Sequence, residues 1–141
     1  MISITLPLPP AALHAHAKGH WRDKTAATRA YREEAYFLAL IAMKESCGEI
    51  PKAEANQPAR GRLSVAFYWP DNRRRDTLNA IQGLKPAVDG IVDAGVLSDD
   101  SWQVLQIGEI TAQIDREKPR VEIKVERLGL ASAPSRDKVA R

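Results

Sequence analysis

The sequence is poor in cysteine, in long apolar runs and in net charge. Among its 141 residues Cys47 is the only cysteine, which excludes an internal disulfide. No stretch approaches the roughly 18 apolar residues that a membrane-spanning helix needs. The first ten residues, "MISITLPLPP", lack the basic and apolar regions of a signal peptide. These absences predict a cytoplasmic protein without membrane segments.

The composition that is present is that of a globular domain. Hydrophobic residues make up 44% of the chain and charged residues 28%, which is ordinary for a folded protein. The length allows one domain with a real core, so we predict a domain over residues 1–128 and a flexible tail over 129–141. The net charge of +3 favours a polyanionic partner but does not require one.

Apolar periodicity and turn residues divide the chain into six elements. Alternating patterns predict strands and spacing of three or four residues predicts helices. The strands are predicted at 2–6, 62–69, 102–114 and 120–128, and the first helix at about 24–46. After a loop at 49–61 and the second strand, Gly83 and Pro86 predict a kinked helix or two short ones ending before Gly95, with helix disfavoured at Lys85. The order β-α-β-α-β-β predicts an α+β domain, with a small mixed sheet packed with two main helices.

The same periodicity predicts which helical residues face the core. On the first helix these are Tyr31, Ala35, Leu38, Ile41 and Ala42. On the second they are Leu78, Ile81, Leu84, Val88, Ile91 and Val92.

The stretch "RRRDTLN", residues 73–79, places three arginines against Asp76 where the second strand gives way to a helix. Asp76 can cap that helix by accepting a hydrogen bond from a backbone N–H near Asn79, or it can bind a cation. The arginines can form a solvated loop, or they can hold a phosphodiester. Both interpretations are open from these residues alone.

A second acidic stretch, "LSDDSW", sets Asp99 beside Asp100 before the third strand. Paired acids in loops are usually solvated turn formers, but a cation also relieves their repulsion. If the chain folds back so that Asp76 meets this pair, the oxygens suit Mg²⁺. Lys85 and Asp89, four residues apart, form either a surface ion pair or part of a site where the lysine stabilises phosphoryl charge.

The stretch "HAHAKGHWRDK", residues 14–24, is basic and aromatic. The histidines His14, His16 and His20 permit a zinc site, but no second ligand cluster completes one. A loop that contacts a nucleic-acid backbone is favoured, and a half-buried Trp21 is the alternative.

Four ordered blocks of the chain resemble the RusA family of Holliday-junction resolvases. They are "LPLPP", "HWRDKTAATRAYREEA", "YWPDNRRRD" and "NAIQGLKPAVDGIVDAGVLSDD", and they cover most of the chain up to about residue 127. The resemblance implies an α+β homodimer, of a kind often carried by phages and prophages, that binds four-way DNA junctions. It also implies that, with Mg²⁺ or Mn²⁺, the protein nicks two strands of like polarity in DNA recombination and repair.

The resemblance also implies roles for individual residues. By position, Asp76 and Asp100 match the catalytic, metal-binding acids, Asp99 assists them, and Lys85 matches the essential basic residue. In shorter-spaced family members that basic residue falls where this chain has Gln82.

One departure from the family is at Leu78. The family motif reads arginine, aspartate, any residue, aspartate, asparagine, whereas residues 75–79 read "RDTLN". Leu78 therefore replaces a metal-binding carboxylate, which weakens a hard-cation site. Three other side chains can supply an oxygen in its place: Asp71, Asp89 and Asn79.

Three hypotheses follow from the sequence. The first is a Mg²⁺-dependent, structure-selective endonuclease that contacts DNA through Arg73, Arg74, Arg75, Trp21, Arg22 and Lys24. The second, motivated by Leu78, is a junction-binding protein with lost or weakened cleavage. The third is a general basic nucleic-acid module whose carboxylates are only caps and turns.

Overall fold

The chain forms a four-stranded mixed sheet. The computed structural model describes residues 1–13, 19–46 and 60–128. The strands are β1 (Ile2–Leu6), β2 (Gly61–Trp69), β3 (Leu105–Ile114) and β4 (Arg120–Arg127), in the spatial order β1-β4-β2-β3. β4 pairs antiparallel with both β1 and β2, whereas β2 and β3 are parallel. The predicted α+β class with a small mixed sheet is confirmed.

The helices lie between these strands in sequence. A short 3₁₀ helix (Ala11–Leu13) precedes α1 (Trp21–Glu45), and α2 (Thr77–Gln82) and α3 (Lys85–Asp93) connect β2 to β3. The two short helices confirm the predicted interruption, and Gly95 follows α3 with a φ of 88°, which glycine adopts without strain. Within the described ranges no helix is both long and apolar enough to cross a membrane.

The core lies between one face of the sheet and the helices α1 and α3. Side chains alternate across a strand, so every second residue of β1, β2 and β4 faces the helices. The register pairs Ile4 with Ile123 and Ile123 with Val65, which places these residues on one face. The buried strand residues are Ile2, Ile4, Leu6, Leu63, Val65, Phe67, Val121, Ile123 and Val125.

The boundaries of several elements differ from the sequence predictions. α1 begins at Trp21 rather than Lys24, because His20 Nδ1 caps it by accepting from the Arg22 N–H at 3.2 Å. Lys85 is helical although it precedes Pro86, since proline is tolerated in a helix's first turn, where the backbone N–H has no helical partner. β3 begins at Leu105, after a turn over residues 101–104, and Gly61 starts β2 instead of ending a loop. The rest of that loop and the predicted tail, residues 49–59 and 129–141, lie outside the described residues.

Two residues predicted to face the core are exposed instead. Ile41 is 54% exposed because α1 turns Tyr31, Ala35, Ala39 and Ala42 inward. Leu78 is 77% exposed because it lies in the first turn of α2, a six-residue helix with no buried residue. The prediction that Leu78 packs in the core is therefore wrong.

The packing of α3 on α1 depends on Gly90. A Cβ added at Gly90 would lie 2.3 Å from the backbone oxygen of Arg32 and 3.0 Å from the backbone nitrogen of Tyr36. Backbone atoms cannot move aside as a flexible side chain can, so only glycine allows the two helices to approach this closely.

We expect Gly90→Ala to destabilise the fold by about 1–3 kcal/mol, as overpacking does. Without the clash, alanine in place of glycine would stabilise a helix interior by roughly 0.5–1 kcal/mol. The sign of the change in the free energy of unfolding therefore shows whether the clash exists. Chemical denaturation measures it. Gly19→Ala, where an added Cβ meets nothing within 4 Å, is the control and should change stability by less than about 0.5 kcal/mol.

Candidate nuclease site

Lys85 joins two aspartates that are distant from each other in the sequence. Its Nζ donates to Asp89 Oδ1 at 2.7 Å and to Asp100 Oδ2. Lys85 begins α3, and Asp100 lies beyond the end of that helix, so the connection after α3 folds back to the start of the helix. The structure therefore brings together Lys85 and Asp100, two of the three predicted catalytic residues.

The contacts within this cluster shift the pKa values of its members. The hydrogen bond from Lys85 lowers the pKa of Asp100, and the hydrogen bonds to Asp100 and then Asp89 raise the pKa of Lys85. Asp99 accepts a hydrogen bond from the Asp100 N–H at 2.8 Å and is the third carboxylate near this point. One lysine charge therefore faces more than one carboxylate, and the cluster is net negative at neutral pH.

Asp76 acts as a helix cap. Its Oδ1 accepts hydrogen bonds from the backbone N–H groups of Leu78 at 2.9 Å and Asn79 at 3.2 Å, at the first turn of α2. These contacts satisfy donors that have no partner within the helix. The capping interpretation of Asp76 is confirmed, and the cap uses one of its two carboxylate oxygens.

The donor set for a divalent cation is smaller than the family resemblance implies. Across residues 1–13, 19–46 and 60–128, no three histidine, cysteine or acidic side chains are grouped so that they could hold a metal ion. Asp89 and Asp100 do reach one positive charge together, the Lys85 ammonium group. Two carboxylates suit Mg²⁺, which keeps several of its waters and takes further oxygens from a phosphate.

The three consecutive arginines have different environments. The Arg75 guanidinium lies 4.6 Å from the centre of the Trp69 ring and bonds to Asp71 Oδ1 at 2.7 Å, so it is packed against the end of β2. Arg73 and Arg74 are exposed, and Arg73 Nε lies 3.6 Å from Asp71 Oδ2. The hydrogen bond from the Arg73 backbone N–H, and then the one from the Arg75 side chain, lower the pKa of Asp71. Asp71 is therefore an acceptor for the loop that contains the arginines. Arg73 and Arg74 are the two that face solvent.

The predicted DNA-binding residues at the start of α1 lie on the surface. Trp21, Arg22 and Lys24 are exposed, and the Arg22 guanidinium lies 5.4 Å from the centre of the Trp21 ring. The alternative of a half-buried Trp21 is therefore wrong. His20 stacks on Trp21 at 5.7 Å between ring centres and caps the helix. His14 and His16, on which the zinc interpretation depends, lie outside the described residues.

Trp102 is predicted only as the start of the third strand and not as a site residue, yet it lies two residues after Asp100 and is 77% exposed. The available signal is an aromatic residue two positions after a double aspartate in a polar turn. A large aromatic side chain in water offers a flat surface of the kind on which a nucleic-acid base can stack.

The chain is similar to a protein of Xylella fastidiosa over part of its length. No family model matches the chain. An uncharacterized protein of Xylella fastidiosa (strain Temecula1 / ATCC 700964) is 32% identical over 101 residues, which is 70% of this chain. The matched region spans 61% of that relative's own length. Since that relative is described only as uncharacterized, the similarity assigns no activity.

The Lys85 cluster makes a prediction about the pKa of Asp100. Replacing Lys85 by methionine removes the charge and keeps the side-chain length, so we expect the pKa of Asp100 to rise toward about 3.9, the usual value for aspartate. Carbon-detected NMR titration of the carboxylates measures it. Asp93, whose pKa is lowered by Arg32 instead, should not change in this variant.

The sign of the associated pH dependence follows from the lowered pKa. The Lys85–Asp100 pair stabilises the fold above the unfolded-state pKa of aspartate, and this contribution is lost as the pH falls through the lower folded-state value. Wild type should therefore lose stability relative to Lys85→Met as the solution is acidified. An unchanged Asp100 pKa in the variant would contradict the contact.

Proposed function

We propose that the protein is a structure-selective DNA endonuclease that resolves four-way junctions by paired nicking, with Mg²⁺ or Mn²⁺, as a member of the RusA family. The observation that carries the proposal is the contact between Lys85 and Asp100. These residues lie far apart in sequence, and the resemblance implies a catalytic role for each. Both roles require the two side chains to lie beside the same phosphate, and their proximity supports this.

The residues of the cluster divide the chemistry between them. In this proposal Asp100 and Asp89 would hold the cation, Asp99 would add negative charge beside them, and Asp76 would contribute the carboxylate oxygen that its cap leaves over. Mg²⁺, when bound, supplies positive charge to the scissile phosphate and lowers the pKa of a bound water. Lys85, released from its carboxylate partners, binds a non-bridging phosphate oxygen and stabilises the charge that grows there.

Two basic stretches bind the DNA backbone in this proposal. Arg73 and Arg74 offer exposed guanidinium groups to phosphates, and Arg75 holds their loop in place through Trp69 and Asp71. Trp21, Arg22 and Lys24 at the start of α1 provide an exposed ring with cations beside it, which suits contact with a base and its phosphate.

The biological setting is also proposed. Cutting two strands related by the symmetry of a junction calls for two copies of the site, and therefore for a homodimer. Action on cellular or phage DNA places the protein in the cytoplasm, in recombination and repair.

Cleavage of a labelled four-way junction tests the proposal. Wild type with Mg²⁺ should produce paired nicks that EDTA abolishes, and Asp100→Asn or Lys85→Ala should reduce the rate about 100-fold or more, as loss of a transition-state contact does. Glu117→Gln, on the turn between β3 and β4, is the control and should cut normally. No nicking by wild type, with EDTA making no difference, would remove the enzyme assignment.

The second candidate function is junction binding with lost or weakened cleavage. Leu78 stands where the family has a carboxylate, and the described residues offer two cation-facing acids in contact with Lys85 rather than a three-acid group. A site with fewer anionic ligands binds a hard cation more weakly. This candidate predicts junction affinity that does not depend on metal.

Leu78→Asp separates the two candidates. Leu78 is exposed, so the substitution should leave stability within about 0.5 kcal/mol, and an acid in a helix's first turn is favourable. If the missing carboxylate limits cleavage, Leu78→Asp should raise the nicking rate about tenfold or more, whereas Leu78→Asn, which has the same shape without the charge, should not. Equal rates for all three proteins would show that position 78 does not limit the reaction.

A further inference from the structure

The second half of α1 has alanines inside and several large apolar residues outside. Its buried face toward the sheet and α3 contains Ala35, Ala39 and Ala42 after Tyr31, with Leu38 and Met43 partly buried beside them. Its opposite face contains Phe37, Leu40 and Ile41, which are 59%, 37% and 54% exposed. A helix that packs on one side only is expected to show the reverse arrangement, with its large apolar residues in the core.

These three side chains form one continuous strip, which we call the outer stripe of α1. Residues three and four apart are neighbours on a helix surface, so Phe37, Leu40 and Ile41 lie within one turn of each other. Single exposed apolar residues are normal on any protein, but a contiguous group marks a surface that a partner covers. Tyr36 adds an edge-to-face ring contact with Phe37 at 5.2 Å, which supports that ring beside the stripe.

Both ends of the outer stripe carry charged residues. Glu33 and Glu34 lie about one turn before Phe37, and Lys44 and Glu45 lie about one turn after Ile41; all four are exposed. Residues 34 and 44 are equally far from residue 39, and so are residues 37 and 41. An antiparallel copy of the helix centred at residue 39 therefore places Glu34 opposite the second copy's Lys44, and Phe37 opposite the second copy's Ile41.

We infer that the outer stripe of α1 is the surface through which two copies of this chain pair, with their α1 helices antiparallel about a two-fold axis near Ala39. Each ion pair then occurs twice, as an isologous interface requires. A parallel arrangement would set each of the four charged residues against its own copy. The antiparallel one sets Glu33 opposite Glu45 but pairs Glu34 with Lys44 twice, so the charges favour the antiparallel arrangement. The inference specifies the proposed homodimer and does not depend on nuclease activity.

A second exposed apolar surface, on the edge strand β3, is less suited to a second copy. Ile107 is 52% exposed there, and an edge strand can pair with another chain. β3, however, contains a single charged residue, Glu109, and no cation that could face it across a two-fold axis. β3 therefore provides the matched control for a test of the stripe.

Sedimentation velocity without DNA or metal tests the inference. Wild type should dimerise with a dissociation constant in the micromolar range, roughly 1–100 µM. Phe37→Glu should weaken the dimer about 100-fold or more, since a buried aromatic anchor is lost from both copies. Ile107→Glu, of similar exposure, should leave it unchanged. Circular dichroism should show both variants folded, because both positions face solvent.

Charge reversal provides a second, independent measurement. Glu34→Lys and Lys44→Glu should each weaken the dimer about fivefold to tenfold, and the double variant should return to within about threefold of wild type. A wild-type monomer at about 100 µM, or a dimer weakened by Ile107→Glu and not by Phe37→Glu, would overturn the inference. A stripe-dependent dimer that fails to cut junctions would support the interface and count against the proposed nuclease alone.

Discussion

The parallel pairing of β2 with β3 determines where the candidate site is built. Parallel neighbours cannot be joined by a hairpin, so the chain between Trp69 and Leu105 has to cross back over the sheet. That connection contains the three arginines at 73–75, the helices α2 and α3, and every acidic residue that we consider as a metal ligand. Asp76, Lys85 and Asp100 therefore all belong to one connecting segment of the chain. This segment packs on α1 through α3.

Within that segment, Lys85 links two parts of the chain through ion pairs. Its contacts with Asp89 and Asp100 hold the end of the connection against the beginning of α3, so the fold and the candidate chemistry use the same atoms. The lysine charge neutralises part of the acidic cluster. Under the proposed function, a cation or a phosphate would have to compete with these ion pairs, so its binding would depend on charge.

Sequence patterns predict the parts of this fold that depend on alternation and on turn residues. The strands, the two-part second helix and the Lys85–Asp89 pair follow from local spacing, because backbone geometry alone brings those residues together. The return of Asp100 to Lys85 depends on the path of a loop, which local spacing does not encode. The prediction that Ile41 faces the core is wrong because it too depends on tertiary packing. α1 packs its alanines against α3, where Gly90 allows the two helices to approach closely, and Ile41 therefore faces outward.

Leu78 shows how exposure changes the interpretation of an unusual residue. At a buried position, leucine in place of aspartate would be explained by packing, and its loss would cost stability. At 77% exposure in a helix's first turn, leucine contributes little to folding, and an aspartate would suit the helix dipole better. The fold therefore does not require leucine at position 78, and an aspartate beside the helix-capping Asp76 would be compatible with the packing of α2.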